Sequence, residues 1–289
     1  MTNIVILGAT GMLGSKVSEV FADSGLQTYK SSRNKTTIGT TDIYFDPLNN
    51  DFDELSKMLK TGDCVINCIG VIKPHIEENN NESVINAIKV NSLFPRDLHE
   101  FLRKKEIRII QIATDCVFSG AKGDYTEMDK PDCLDVYGKT KSLGEVVSEN
   151  FMNLRCSIIG PERNSSKSLF EWIKNQDKNA NLKGFEDHKW NGVTTTIFAR
   201  ICVEIVRNNL FQNGTFHLVP KDKVSKYELL SLIAEKLNRH DLRIDKVKSG
   251  VTVDRTLSTT FPDINEKLWN SLGLNRAPTI GEMVEDFLI

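Results

Sequence analysis

The chain has 289 residues, 39% of them hydrophobic and 26% charged, with a net charge of −2. That length suits one large domain or one domain with a smaller lobe, and the composition is that of a soluble globular protein. The weak net charge offers no field to nucleic acid or acidic lipid, and no run approaches the roughly 20 apolar residues of a membrane span. The N-terminus has neither the basic start nor the apolar stretch of a signal peptide. Six cysteines (Cys64, Cys68, Cys116, Cys133, Cys156 and Cys202) are scattered among apolar neighbours. Cys64 and Cys68 lack the second cysteine or histidine pair of a metal site, so no metal is expected and all six read as reduced thiols in a cytoplasmic protein.

Residues 3–7 (NIVIL) are a short apolar run of the kind buried in a parallel sheet. They lead into Gly8-Ala9-Thr10-Gly11-Met12-Leu13-Gly14 and an amphipathic stretch at 15–24, which predicts strand, tight turn and helix. Glycines there let backbone amides approach a pyrophosphate at the helix N-terminus. Gly8, Thr10, Gly11, Met12 and Leu13 are therefore candidate dinucleotide contacts. A second strand at 26–30 ends in Ser31-Ser32-Arg33-Asn34-Lys35, and no acidic residue occurs from 29 to 41 to bind ribose hydroxyls. Arg33 and Lys35 can instead meet a 2′-phosphate, which predicts NADPH as the preferred cofactor and NADH as the second choice.

A third strand at 43–45 places Asp46 where it can accept from the adenine amino group. A helix at 51–60 precedes a strand within 63–70, whose end (Cys68, Ile69, Gly70) lets a cofactor pass closely. Residues 82–105 read as one long helix with Val90 and Asn91 near its middle. A strand at 108–113 delivers Thr114-Asp115-Cys116-Val117-Phe118 to the C-terminal edge of the sheet, where such folds bind ligands. A polar loop at 124–135 then leads to a helix from Tyr137 to residue 150, and a sixth strand follows at 153–159.

Strands alternating with helices predict an α/β fold with a doubly wound parallel sheet. Residues 1–159 form the expected nucleotide-binding domain. From Gly160 the pattern changes. Helices are expected at 169–176, 194–208, 226–237 and 279–288, and a strand at 214–218. Residues 160–193 and 214–289 read as a smaller substrate lobe, with the helix near 194–209 returning to the first domain.

Tyr137 and Lys141 are four apart and so share one face of a helix. A phenol of ordinary pKa near ~10 is a poor acid or base at neutral pH. An adjacent ammonium is expected to lower that pKa and make the tyrosine a usable proton donor, while also holding a cofactor hydroxyl. With the hydroxyl of Thr114, this gives the candidate catalytic set Thr114, Tyr137 and Lys141.

The motifs GATGMLG, Thr114–Phe118, Asp124-Tyr125-Thr126-Glu127 and Val136-Tyr137-Gly138-Lys139-Thr140-Lys141 with Gly144-Glu145 resemble extended short-chain dehydrogenase/reductases, and within them the dTDP-4-dehydrorhamnose reductase group. The stretches Gly214-Thr215-Phe216-His217-Leu218 and Val224–Leu229 resemble the tail of that group. The resemblance implies a Rossmann domain with a sugar-nucleotide lobe, and NAD(P)H-dependent reduction of a nucleotide-linked 4-keto-6-deoxysugar for surface polysaccharide precursors. Tyr137 would protonate the developing alkoxide, Thr114 would donate to it, and Lys141 would hold Tyr137 and the nicotinamide ribose. Where the group usually has a tyrosine this chain has Cys116, which implies a different substrate pocket. Cys116, Val117, Trp190 (as a stacking surface) and Asn191 are the candidate substrate contacts. The alternatives are an epimerase with tightly held NAD, a dehydratase (disfavoured because no glutamate follows Asp115), and a non-catalytic regulatory subunit that retains nucleotide binding. A homodimer is left open.

Overall fold

A computed structural model describes residues 2–34, 42–49, 52–162 and 168–286; Lys35, one of the two cations considered for a 2′-phosphate, lies outside them. The first half runs β1 (Ile4–Leu7), α1 (Met12–Ala22), β2 (Thr28–Ser32), β3 (Asp42–Tyr44), α2 (Asp53–Met58), β4 (Cys64–Asn67), α3 (Asn81–Ile88), α4 (Phe94–Leu102), β5 (Arg108–Ala113), α5 (Val136–Leu143) and β6 (Phe151–Arg155). The second half runs β7 (Ile158–Ile159), α6 (Leu169–Lys174), β8 (Asn181–Phe185), β9 (His188–Trp190), β10 (Val193–Thr194), α7 (Thr195–Arg207), β11 (Gly214–His217), β12 (Val224–Ser225), α8 (Lys226–Lys236), β13 (Arg243–Val247), β14 (Val253–Asp254), α9 (Pro262–Ser271) and α10 (Ile280–Glu285).

Seven strands form one sheet in the order β11-β6-β5-β4-β1-β2-β3, and every pairing is parallel. This is the expected doubly wound sheet. Its alternate faces feed two cores. Ile4, Ile6, Ile66 and Ile110 pack toward α1 and α7, whereas Val5, Leu7, Val65 and Ile109 pack toward Phe94, Leu98 and Leu102 of α4. Side chains of a strand covered on both faces gain nothing from polarity, so β1 is apolar throughout. The chain moves outward from β1 through β2 to β3, then crosses back to β4. The strand order thus reverses between β1 and β4, and a crevice for ligand opens beyond their C-terminal ends. There the Cys68 amide donates to the Leu7 carbonyl at 3.0 Å.

The lobe is built from short sheets: β12-β9-β14, β8 with β13, and β7 with β10. Helix α8 packs on β8 and β13, and its N-terminus carries a capping box between Ser225 and Glu228. Among the described residues no helix is long and apolar enough to cross a membrane, and all six cysteines are free thiols.

Four expectations change. Residues 82–105 are helical, but a π-helical segment at Lys89–Leu93 separates α3 from α4, and a 3₁₀ turn at Arg103–Lys105 ends the run. The Tyr137 helix stops at Leu143 rather than at 150. Gly144 lies so close to the Asn91 carbonyl oxygen that any Cβ would overlap it, and the Gly144 carbonyl is taken by Gln111 Nε2 at 3.0 Å instead of a further helical turn. The strand at 153–159 is two strands, β6 and β7, because Ser157 turns aside to receive the Trp190 indole N–H (2.8 Å) and the Val193 amide (2.9 Å). Finally β11, assigned to the lobe from its position in sequence, completes the central sheet beside β6.

Candidate active site

The glycine turn fixes the floor of the site. Gly8 has φ +78, a conformation that costs glycine little, and its amide donates to Ser31 Oγ at 2.9 Å. Gly14 packs against the turn so tightly that a Cβ would overlap the Gly8 carbonyl. Helix α1 therefore starts directly behind the turn. The amides of Met12 and Leu13 lie in its first turn, where a helix supplies no acceptor of its own. The Leu13 side chain plays no part there, being in the core.

A cavity of about 190 Å³ lies above this turn, lined among others by Gly8, Thr10, Gly11, Arg33, Cys68, Ile69 and Gly70. Seven of the expected cofactor contacts are thus brought together from three separate strand ends. Asp46 is not among them. Its carboxylate receives the Leu48 amide at 3.1 Å and the Asn49 side chain at 3.3 Å, so it serves its own turn, while the flanking Phe45 and Pro47 reach the cavity.

Lys141 stands behind the Gly70 wall of that cavity, one helical turn from Tyr137, whose phenol meets the Thr114 hydroxyl. Thr114 ends β5 and caps a 3₁₀ turn at Asp115–Val117; its Oγ1 accepts the Cys116 amide at 3.1 Å and donates to Asp115 Oδ1 at 3.2 Å. Helix α5 begins at an N-cap, Asp135, whose carboxylate accepts the Gly138 amide at 2.8 Å. Gly138 sits against the Cys116 carbonyl with no room for a side chain, which seats Tyr137 beside the 3₁₀ turn. Lys141, 6% exposed, donates from Nζ to the Ile112 carbonyl at 2.9 Å. A Cβ placed on Gly70 would lie 3.9 Å from that nitrogen, so the ammonium faces the cavity wall.

The electrostatics differ from the expectation that Lys141 lowers the tyrosine pKa. Burial pushes the Tyr137 phenol upward, Cys116 adds to this, and the Thr114 hydroxyl beside it pulls the other way. Lys141 itself is lowered to about 8, chiefly by burial, with Glu145 opposing. Each group is held mainly by its desolvation, and at neutral pH the phenol keeps its proton.

Asn91, buried in the π-helical segment, ties these parts together. Its Oδ1 accepts the Val71 amide at 2.8 Å, and its Nδ2 donates to the Val71 carbonyl at 2.9 Å and to Thr140 Oγ1 at 3.2 Å. A second strut runs from the Ile69 amide to Asn67 (3.1 Å), to Gln111 (2.8 Å), and to the Gly144 carbonyl (3.0 Å). Both join the cavity wall to α5. Neither was legible beforehand, although a π-helical turn at position 91 is the kind of irregularity that marks functional sites.

Of the expected substrate contacts only Cys116 borders the site. Val117 is fully buried against Phe118, Tyr125 and Leu257. Trp190, 4% exposed, has its indole N–H spent on Ser157 and its ring in the core. Asn191 clasps the backbone of Leu257 at both ends of its amide, at 2.7 and 2.8 Å, which leaves little for a ligand. Two lobe residues that were not anticipated, Lys226 and Arg255, stand near enough to Asp115 to act on its carboxyl.

A family model described as the RmlD substrate binding domain matches residues 1–284. "Methionine adenosyltransferase 2 subunit beta" of Mus musculus is 26% identical over 256 residues, covering 81% of this chain and 72% of that protein. A dTDP-4-keto-6-deoxy-D-glucose reductase of Streptomyces niveus is 23% identical over 193 residues, covering 65% of this chain and 66% of that protein. The crystal structure of a dTDP-4-dehydrorhamnose reductase from Bacillus anthracis, in complex with NADP, superposes with a TM-score of 0.78 at 17% identity over 99% of both chains.

Proposed function

Because the chain belongs to the RmlD substrate-binding-domain family, we propose that it is an NAD(P)H-dependent reductase of a nucleotide-linked 4-keto-6-deoxysugar in the synthesis of surface polysaccharide precursors. The observation that supports this reading is that Lys141, one turn from Tyr137 on α5, stands behind the Gly70 wall of a cavity lined by the glycine turn. The curated reductase relative and the NADP-bound structural neighbour support it.

The residues fit such a cofactor. The glycine turn, the opening amides of α1 and the close pass at Gly70 offer backbone donors and space for a pyrophosphate. Arg33 lines the cavity at the end of β2, where no carboxylate competes, and favours the 2′-phosphate of NADPH. When bound, the nicotinamide supplies a hydride to the keto carbon.

The chain's own groups then manage the oxygen. The electron pair of the carbonyl moves onto oxygen as the carbon–hydride bond forms, and Tyr137 gives its phenolic proton to that oxygen. A phenol with a raised pKa is protonated at the start and surrenders its proton only to a stronger base, which the developing alkoxide is. Thr114 Oγ1, turning its single proton from Asp115 Oδ1, would donate to the same atom where charge grows. Lys141 has spent one N–H on Ile112; its others are available for the ribose hydroxyls and for the phenolate left after proton transfer.

The test is NADPH oxidation, followed by absorbance, across a panel of 4-keto-6-deoxy sugar nucleotides varied in base and 2-substituent. Turnover with one member identifies substrate and reaction together. Silence across the panel with NADPH still bound would sink the reductase reading. A second reading, a non-catalytic nucleotide-binding subunit, is favoured by the relatives named as subunits of methionine adenosyltransferase. The intact Thr114, Tyr137 and Lys141 set weighs against it, because binding alone has no use for a proton donor.

A further inference from the structure

Asp46 spends its carboxylate on Leu48 and Asn49 and does not line the cavity above the glycine turn. A different polar side chain reaches that cavity, Asn86 of α3. Asn86 and Val90 are four apart on one helical run, so they share a face, and both line the cavity. The turn after β3 supplies Phe45, Pro47 and Leu48 to the same space. Arg33 belongs beside them. Ser32 of β2 pairs with Tyr44 of β3, and the Phe45 amide donates to the Ser32 carbonyl at 3.0 Å, which sets Arg33 next to Phe45.

The fold makes no use of the Asn86 amide. Among the described residues this half-buried side chain has no hydrogen bond. Asparagine is also a poor residue for a helix interior, so local structure does not favour it there. Its neighbours in sequence are employed: Asn80 caps α3 through the Glu82 and Ser83 amides, and Asn91 holds Val71 and Thr140. Ser31, which also lines the cavity, is engaged by the Gly8 amide. Leu48 is unspent in the other sense, a large apolar side chain left 45% exposed. An apolar slot with one free amide suits a purine, whose ring faces shed water and whose edge needs both an acceptor and a donor. The base of NADPH hangs from the ribose that carries the 2′-phosphate, so its site must adjoin Arg33, and this slot does.

We propose that Asn86 reads the adenine of the cofactor. Its Oδ1 accepts an N–H of the exocyclic amino group and its Nδ2 donates to the ring nitrogen beside it, a pairing for which asparagine and adenine are matched. Leu48 and Val90 supply the apolar cover for the ring. The proposal rests on the reading of this cavity as a dinucleotide site, and it names the residue that selects the base. Asn86 is a binding residue here and takes no part in proton transfer.

The experiment is fluorescence titration of wild type and Asn86→Leu with two ligands. One is NADPH; the other is its analogue whose base is purine, with hydrogen in place of the 6-amino group. Wild type should bind the analogue about three- to tenfold more weakly than NADPH, the worth of one neutral hydrogen bond. Asn86→Leu should bind NADPH more weakly than wild type does and should no longer distinguish the two ligands. If Asn86→Leu melts early, Asn86→Ala, which favours the helix more than asparagine does, takes its place in the same comparison. A folded variant that keeps the wild-type preference for the amino group overturns the assignment and leaves the dinucleotide reading standing. So does a wild type that binds both ligands equally well. No binding of either ligand by wild type removes both the assignment and the reading.

Discussion

The Asn91 side chain stands 3.2 Å from the Thr140 hydroxyl, one residue before Lys141, while its other two bonds hold both backbone polar groups of Val71. One amide thereby sets the spacing between α5 and the wall of the cavity at Val71. Asn91→Ala should cost about 1–3 kcal/mol, because it strands buried backbone groups. It should also weaken NADPH binding, although Asn91 lies outside the group of residues assigned to the cofactor. Thermal melting and NADPH titration check both. A variant with the melting point of wild type and an unchanged NADPH affinity would show that the strut is idle.

Tyr137→Phe removes the proton and keeps the ring. Turnover should fall by about 10²–10⁴-fold, with NADPH affinity nearly intact, as read from single-turnover rates and a binding titration. Full activity in this variant would take Tyr137 out of the acid role.

The lysine gives a pH signature with two opposite signs. Burial lowers Lys141 from its ordinary 10.5 to about 8. Below about 8 the folded and unfolded chains both carry the proton; between about 8 and 10.5 the unfolded chain alone does. The unfolded state then binds more protons, so the contribution of this group to stability rises with pH through that window. Cofactor affinity should move the other way, declining as the ammonium is lost above about 8. Lys141→Met should flatten both trends, which NADPH titrations and melting curves across that range would reveal.

Arg33 tests cofactor choice. Arg33→Ala should weaken NADPH by about ten- to a hundredfold, the worth of a charge-assisted contact, and leave NADH nearly unchanged. Equal losses for both cofactors would mean that Arg33 does not meet the 2′-phosphate.

Behind the site, Arg155 and Glu145 form a bidentate pair at 2.6 and 2.8 Å, with side chains 6% and 7% exposed. Arg155→Met should destabilise by about 3–5 kcal/mol, since Glu145 is left charged and buried. The double variant with Glu145→Met should recover much of that loss in chemical denaturation. A double variant no better than the single one would show that packing, not charge, is what Arg155 supplies.

The sequence by itself determined what depends on near neighbours along the chain. An apolar run followed by GATGMLG can only be strand, tight turn and helix, because the glycines act where they stand. A tyrosine and a lysine four apart share a helix face by geometry alone, so the placing of Tyr137 and Lys141 on one helix was legible, as was the parallel sheet. Tertiary structure decided the rest. The three candidate substrate contacts Val117, Trp190 and Asn191 turned inward, since a 3₁₀ turn, a three-residue strand and the loop after it have no periodicity that says which side chain meets the core. The end of α5 at Leu143 was set by the Asn91 carbonyl, fifty-odd residues away, pressing on Gly144. Lys226 and Arg255 came near Asp115 only because β9 pairs with strands far along the chain on both of its sides. Even the acidity of Tyr137 went against the local expectation: spacing places a lysine on its face, but desolvation depends on everything packed around the pair, and burial, with Cys116 adding to it, pushes the phenol upward.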